Sequence, residues 1–248
     1  AIVWFSAHHI GAGNLQVGNM LAFLQYSMQA VSAFLMISII FISLPRAAVS
    51  ANRIVEVLET ESQIQDPVSP VKAPRRGGKV EFRDVTFTYP GAAEPVLHNI
   101  SFVALPGETT AFVGSTGSGK STIINLIPRF YEVTEGQVLL DDVDVRAMRQ
   151  KDLRARIGYV SQKAMLFSGT IKDNIIYGNP RASQEEILQA AATAQALEFI
   201  KELEQKFDSS IAQAGSNFSG GQKQRLAIAR ALAKNPELYL FDDSFSAL

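Results

Sequence analysis

The chain has 248 residues, 47% of them hydrophobic and 19% charged, with a net charge of −1. That length supports one large domain or two small ones, and the near-neutral balance offers no whole-chain basic surface to nucleic acid. There is no cysteine, which excludes a disulfide framework, a thiolate zinc site and a cysteine nucleophile.

Charge is distributed unevenly. Residues 1–45 contain no Asp, Glu, Lys or Arg, so all the charged residues lie beyond them. Residues 1–6, AIVWFS, are apolar but too short to span a membrane, and are expected to be the end of an earlier membrane helix. His8 and His9 are then expected in the connection to the next helix, as polar interfacial residues. Met20 to Leu44 is a long uncharged run. As a helix it would measure about 37 Å, enough to cross a hydrocarbon core of roughly 30 Å with some tilt. Gln25, Gln29 and Ser32 recur at helical spacing and are expected to share a face turned toward neighbouring helices. Pro45 ends the run, and Arg46 and Arg53 follow, which places the C-terminal end on the cytoplasmic side. No basic region precedes the run and no cleavage pattern follows, so it does not read as a signal peptide.

Residues 46–60, RAAVSANRIVEVLET, are good helix formers and are expected to continue the membrane helix, with a kink at Pro45. QIQDPVSPVKAPRRGG follows and reads as an extended linker, so residues 46–77 form a cytoplasmic helix and linker. From residue 78 the pattern changes. KVEFRDVTFTY, NISFVAL, TTAFVG, GQVLLDDVDV, IGYVSQ and ELYLFD read as strands. The longest helices are expected at 183–206 and 219–234. Strands, a glycine loop and helices in alternation predict an α/β sheet.

Gly114-Ser115-Thr116-Gly117-Ser118-Gly119-Lys120-Ser121 fits the phosphate-loop pattern GxxxxGK[ST]. TTAFVG precedes it as an expected strand, and STIINLI follows as an expected helix that includes Thr122. Glycines let backbone N–H groups turn onto phosphates, and the helix presents its positive end. Lys120 is expected at the β- and γ-phosphates of a bound nucleotide and the Ser121 hydroxyl on Mg²⁺. LYLFD ends in Asp242. If that strand lies parallel to the loop strand, Asp242 sits beside the Mg²⁺ water shell.

Asn217-Phe218-Ser219-Gly220-Gly221-Gln222 and the following KQRL resemble the signature of ATP-binding-cassette (ABC) proteins, with Phe218 where leucine is usual. The resemblance implies a phosphate-loop NTPase domain with a helical subdomain, fused after a transmembrane helix. It implies that Tyr89 stacks on adenine and that Gln162 touches Mg²⁺ and moves as the site closes. It also implies that the signature residues close over the nucleotide of a facing domain. The stretch AMLFSGTIKDNIIYG resembles the exporter subgroup, where it receives the coupling helices of the membrane domain. IAQAGSNFSGGQ is similar to that subgroup too, although Gln213 stands where glutamate is frequent. The implied organisation is the end of a membrane domain at 1–45 (last helix 19–45), then a nucleotide-binding domain at 78–248, with both ends of the chain cut. A further aspartate, a strand and a switch histidine are implied beyond residue 248.

One departure bears on chemistry. Where the family usually has the glutamate that polarises the attacking water, this chain has Asp243, and SFSAL departs from the commoner ATSAL. A carboxylate one methylene shorter is displaced by about 1 Å, which can cost roughly a hundredfold in rate. The expectation is an exporter subunit in a cell membrane, multi-pass, with its ATPase in the cytoplasm and possessing a slow site of its own. Membrane lipid, an unidentified exported substrate and a second half-transporter are the expected partners, a heterodimer favoured over a homodimer; nucleic acid is not. A degenerate-site regulatory half and a soluble cassette ATPase are the alternatives.

Overall fold

The computed structural model describes residues 2–13 and 15–245; the end of SFSAL lies outside the described residues. The chain forms two compact units, Ala1–Gln63 and Ile64–Leu248.

The first unit consists of α1 (Ile2–Gly11) and α2 (Val17–Leu58). His8 and His9 belong to the last turn of α1 instead of the connection, and His8 stacks on Trp4 with ring centroids 5.2 Å apart. Helix α2 has 42 residues, none of them buried, and its apolar window has a mean hydropathy of 2.0. By length and composition it is able to cross a membrane. It runs on through Pro45, whose missing N–H leaves the Phe41 carbonyl without its helical donor. The hydroxyls of Ser27, Ser32, Ser38, Ser43 and Ser50 each donate to the carbonyl four residues earlier. Ser32 therefore satisfies itself on Met28 at 2.9 Å, and does not depend on a neighbouring helix. Internal satisfaction of this kind suits a helix in a solvent that offers no hydrogen bonds.

The second unit begins with residues 64–78, which carry no helix or strand but are held down at several points. Arg129 donates to the Gln65 carbonyl at 3.0 Å, the Gln150 N–H to Asp66 at 2.9 Å, and the Val71 N–H to the Ala147 carbonyl at 2.8 Å. The boundary thus falls at Gln63–Ile64, ahead of the expected linker end at 77. Prolines stop this segment from being helical, but they do not stop it from packing.

A four-stranded antiparallel sheet comes first, in the order β2–β1–β3–β4: β1 (Val80–Phe87), β2 (Leu97–Ala104), β3 (Glu135–Leu140) and β4 (Val143–Asp144). Val80, Phe82, Val85 and Phe87 point into the core, and the change of step after Phe82 coincides with a register shift against β2 and a left-handed Asp84. Phe82 stacks on Phe102 of β2 at 4.6 Å. Helix α3 (Lys120–Leu126) belongs to this core through Ile123, Ile124 and Leu126. Each such fully buried side chain contributes about 1.5–3 kcal/mol.

A parallel pair follows, β5 (Ile157–Val160) with β8 (Leu238–Phe241). Helix α4 (Gln150–Ala155) leads into β5, and between the paired strands come β6 (Gly169–Thr170), α5 (Ile171–Ile176), α6 (Gln184–Thr193), α7 (Leu197–Glu202), β7 (Ser210–Ile211) and α8 (Gly220–Ala233). The β6–β7 ladder is antiparallel. Helices α5 to α8 gather a second core around Ile171, Ile175, Ile187, Ile200 and Leu226. The helix expected at 183–206 is broken: Gln195 is left-handed, and the Ala196 N–H reaches back to the Ala191 carbonyl at 2.8 Å.

The strand expected at 109–114 is absent. Among the described residues it has no ladder partner, and Val113 is 96% exposed. Phe112 packs on Phe102 of β2 instead, edge to face at 5.1 Å. An apolar run supplies the side chains of a strand, but only a neighbouring backbone makes it one.

Candidate functional site

The glycine loop ends at α3. Gly119 caps the helix in a left-handed conformation, with φ 90°, and a Cβ there would meet Leu97 Cδ2 at 2.7 Å. A Cβ on Gly114 would meet the Ser118 Oγ at 2.8 Å. Gly119 therefore needs glycine for its conformation, whereas a Cβ at Gly114 would have to displace the Ser118 hydroxyl. Lys120 folds back over the loop: its Nζ donates to the Gly114 carbonyl at 2.9 Å, the Ser115 carbonyl at 2.7 Å and the Ser118 Oγ at 3.4 Å. The ammonium is thus held by the loop itself, beside the start of α3. Thr116 and Gly117 form the exposed crest.

Asp242 meets the loop by a route different from the expected one. Its strand β8 pairs with β5, not with residues 109–114. The Ser121 hydroxyl nevertheless donates to Asp242 Oδ1 at 2.7 Å. At the same ends of the two parallel strands, Gln162 Nε2 donates to Asp243 Oδ2 at 3.3 Å. The turn is locked by the Asp242 N–H and the Ser244 hydroxyl, both donating to the Val160 carbonyl, at 3.0 and 2.9 Å. Asp243 has φ 44°, a left-handed conformation that aspartate tolerates better than most residues. Below, Tyr159 donates to Asn125 Oδ1 of α3 at 2.9 Å. Burial pushes the Tyr159 hydroxyl pKa up, and the Asp242 carboxylate adds to that.

Tyr89, just past β1, places its hydroxyl 3.0 Å from the Thr122 Oγ1 in the first turn of α3. The aromatic and the loop helix are therefore joined directly.

The signature segment opens α8. Ser219 is the N-cap: its hydroxyl accepts from the Gln222 N–H, and Gln222 Oε1 accepts from the Ser219 N–H at 2.9 Å. Gly220 and Gly221 form the first turn. Phe218 is buried in the helical core and faces Phe199 edge-on at 6.3 Å, so its side chain serves packing. Among the described residues no hydrogen bond joins residues 218–222 to the loop.

Two contributors escaped the sequence patterns. Buried Gln224 of α8 donates to the Ser161 carbonyl at 3.4 Å, linking the signature helix to the turn that carries Gln162. Its polar type at a core position of α8 was the one available signal. Arg230, also on α8, donates to the Asn174 carbonyl, to Asn174 Oδ1 and to the Met165 carbonyl, and lies over the Phe167 ring at 5.2 Å. It supports the exposed side chains of Met165, Phe167 and Tyr177.

The loop, the fixed lysine and the hydroxyl–carboxylate pair at the strand ends define a nucleotide-binding domain of the phosphate-loop class. A family model described as ABC transporter matches residues 97–246, and the chain belongs to that family. It is 48% identical over its whole length to an uncharacterized ABC transporter ATP-binding protein of Mycobacterium tuberculosis, of which it covers 43%. It is 36% identical to an ATP-dependent lipid A-core flippase of Syntrophus aciditrophicus, again over all of this chain and 41% of the relative. A solved bacterial Atm1-family ABC exporter with ATP bound superposes with a TM-score of 0.81 at 35% identity, covering all of this chain and 43% of that one. The chain thus spans about two-fifths of the length of these relatives.

Proposed function

We propose that this chain is the ATP-binding part of an ABC exporter subunit, with α2 as the last transmembrane helix and the nucleotide domain in the cytoplasm. The observation that carries it is that Lys120 lies on the glycine loop and Ser121, next to it, bonds Asp242, whose neighbour Asp243 takes a hydrogen bond from Gln162. A flippase and an exporter among the relatives point to an amphipathic cargo.

The residues fit ATP and Mg²⁺. The loop turns at the left-handed Gly119, and Lys120 offers a cation on it. Ser121 and Asp242 are oxygen donors of the kind a hard cation takes. Bound Mg²⁺ supplies charge neutralisation on the phosphates. Lys120 exchanges its carbonyl partners for phosphate oxygens. Tyr89 lies against the adenine. Asp243 holds and polarises the attacking water, oriented by Gln162. Ser219 and the α8 N-terminus face the nucleotide of a second half-transporter.

The identity of that half is a separate matter. Asp243, in place of the usual glutamate, supports a heterodimer in which the partner brings glutamate and this chain brings its complete signature. On that basis this chain's own site turns over slowly and has a more regulatory role. Titration of the full-length parent with labelled ATP tests the site. Lys120→Ala is expected to abolish turnover, and Tyr89→Ala to weaken binding by about 1–3 kcal/mol. Unchanged affinity and turnover in both variants would refute the assignment.

A further inference from the structure

Tyr89 is one member of an aromatic cluster. Its ring meets Phe87 at 4.8 Å and 79°, and Tyr131 at 5.1 Å and 86°. Phe87 and Tyr131 also touch, at 5.7 Å and 53°. The Tyr89 hydroxyl is held at Thr122. One ring is therefore restrained at its tip and by two T-shaped neighbours.

The two neighbours differ. Phe87 is a buried residue of β1, whereas Tyr131 is 37% exposed and belongs to no helix or strand. Its segment is nonetheless tied to β1. The Thr134 N–H donates to the Thr86 carbonyl at 3.0 Å, and the Thr88 N–H donates to the Thr134 Oγ1 at 3.0 Å. Those bonds tie Thr134, three residues after Tyr131, to Thr86 and Thr88, the residues on either side of Phe87 at the end of β1 just before Tyr89.

A tyrosine ring turns about a broad torsion unless packing stops it, and stacking on a base requires a defined plane. We propose that Tyr131 is a positioning residue that sets the plane of Tyr89 for the nucleotide base. This rests on Tyr89 being the base-stacking residue. Tyr131 acts through Tyr89, so its removal affects recognition of the base and leaves recognition of the phosphates alone. The contact uses the ring, so phenylalanine replaces tyrosine at 131 and leucine does not.

The test uses the full-length parent in detergent, with Mg²⁺ present. Binding of labelled ATP is measured directly, and inorganic tripolyphosphate by competition. Tyr131→Ala and Tyr131→Leu are expected to weaken ATP binding about 3- to 10-fold, the range set by an aromatic pair. Tripolyphosphate binding should stay unchanged in both, and Tyr131→Phe should behave as the parent. An equal loss for ATP and tripolyphosphate would mean general damage to the loop, and would overturn the proposal. So would unchanged ATP affinity in the alanine variant, or a leucine variant that matches phenylalanine. If the alanine variant fails to fold, the leucine–phenylalanine comparison decides. Tyr89→Ala is the control. If it leaves ATP affinity intact, the stacking role of Tyr89 itself fails. If it weakens ATP while Tyr131→Ala does not, only the positioning role fails.

Discussion

Asp243 and Ser219 each hold a defined backbone place alongside the chemical role proposed for them. Asp243 is left-handed and receives a hydrogen bond from Gln162. Glutamate would extend the carboxylate by a methylene, at some backbone cost in that conformation. Asp243→Glu is expected to raise ATP turnover of the full-length parent assembled with its partner, measured as phosphate release. An unchanged rate would show that aspartate is an adequate base, and the case for a heterodimer would go with it. Ser219 is an N-cap, and replacement by alanine costs about 1 kcal/mol whatever else the residue does. Aspartate caps equally well but brings negative charge toward a facing phosphate. Ser219→Asp should therefore keep the thermal unfolding temperature while ATPase activity falls at least about tenfold. Full activity in that variant would separate the signature from the nucleotide.

Between elements, the buried ion cluster at Asp141 ties the start of the domain to its sheet. Asp141 follows β3 and accepts from the Arg76 and Lys79 N–H groups at 3.0 and 2.9 Å, and from Arg156. Arg156 reaches on to Glu237 at 2.6 Å, just before β8. Burial pushes the Asp141 carboxyl up, but the Arg76 N–H, Arg156 and the Lys79 N–H outweigh it and hold it below its ordinary value near 3.8. A carboxyl depressed in the folded state stabilises above its unfolded pKa and loses that contribution as pH falls through the folded value. Wild-type stability should therefore drop below about pH 4. Asp141→Asn should lose at least about 2 kcal/mol at neutral pH and show a shallower acid dependence in denaturant titrations. An identical acid limb in both proteins would remove Asp141 from this role.

At the scale of the whole molecule, α2 presents an apolar surface to its solvent. Its large apolar side chains, Phe34 and Phe41 among them, are exposed along the helix, and its serine hydroxyls are satisfied internally. The purified chain should aggregate in detergent-free buffer and run as a monodisperse species in detergent by size-exclusion chromatography. Monodisperse behaviour without detergent would argue against a membrane role for α2.

Local signals were enough for the phosphate loop, the signature and the long apolar helix. The spacing of Gly114, Gly119 and Lys120 encodes a local backbone shape, with Gly119 left-handed and Lys120 donating back to the Gly114 carbonyl six residues earlier. Ser219 and Gln222 likewise close a capping box within one turn. The charge-free run through α2 needs only its own composition to be read. Other features depended on neighbours distant in the chain. Residues 109–114 have the apolar character of a strand but no ladder partner among the described residues, so they pack through Phe112 alone. The pairing of β5 with β8 brings Gln162 to Asp243, and Ser121 meets Asp242 across 121 positions of sequence. Tyr131 carries no motif, and its T-shaped contact with Tyr89 exists only in the folded chain. Motifs record short-range backbone geometry, whereas strand order and side-chain contact arise when separate segments bury surface against one another, which no single segment encodes.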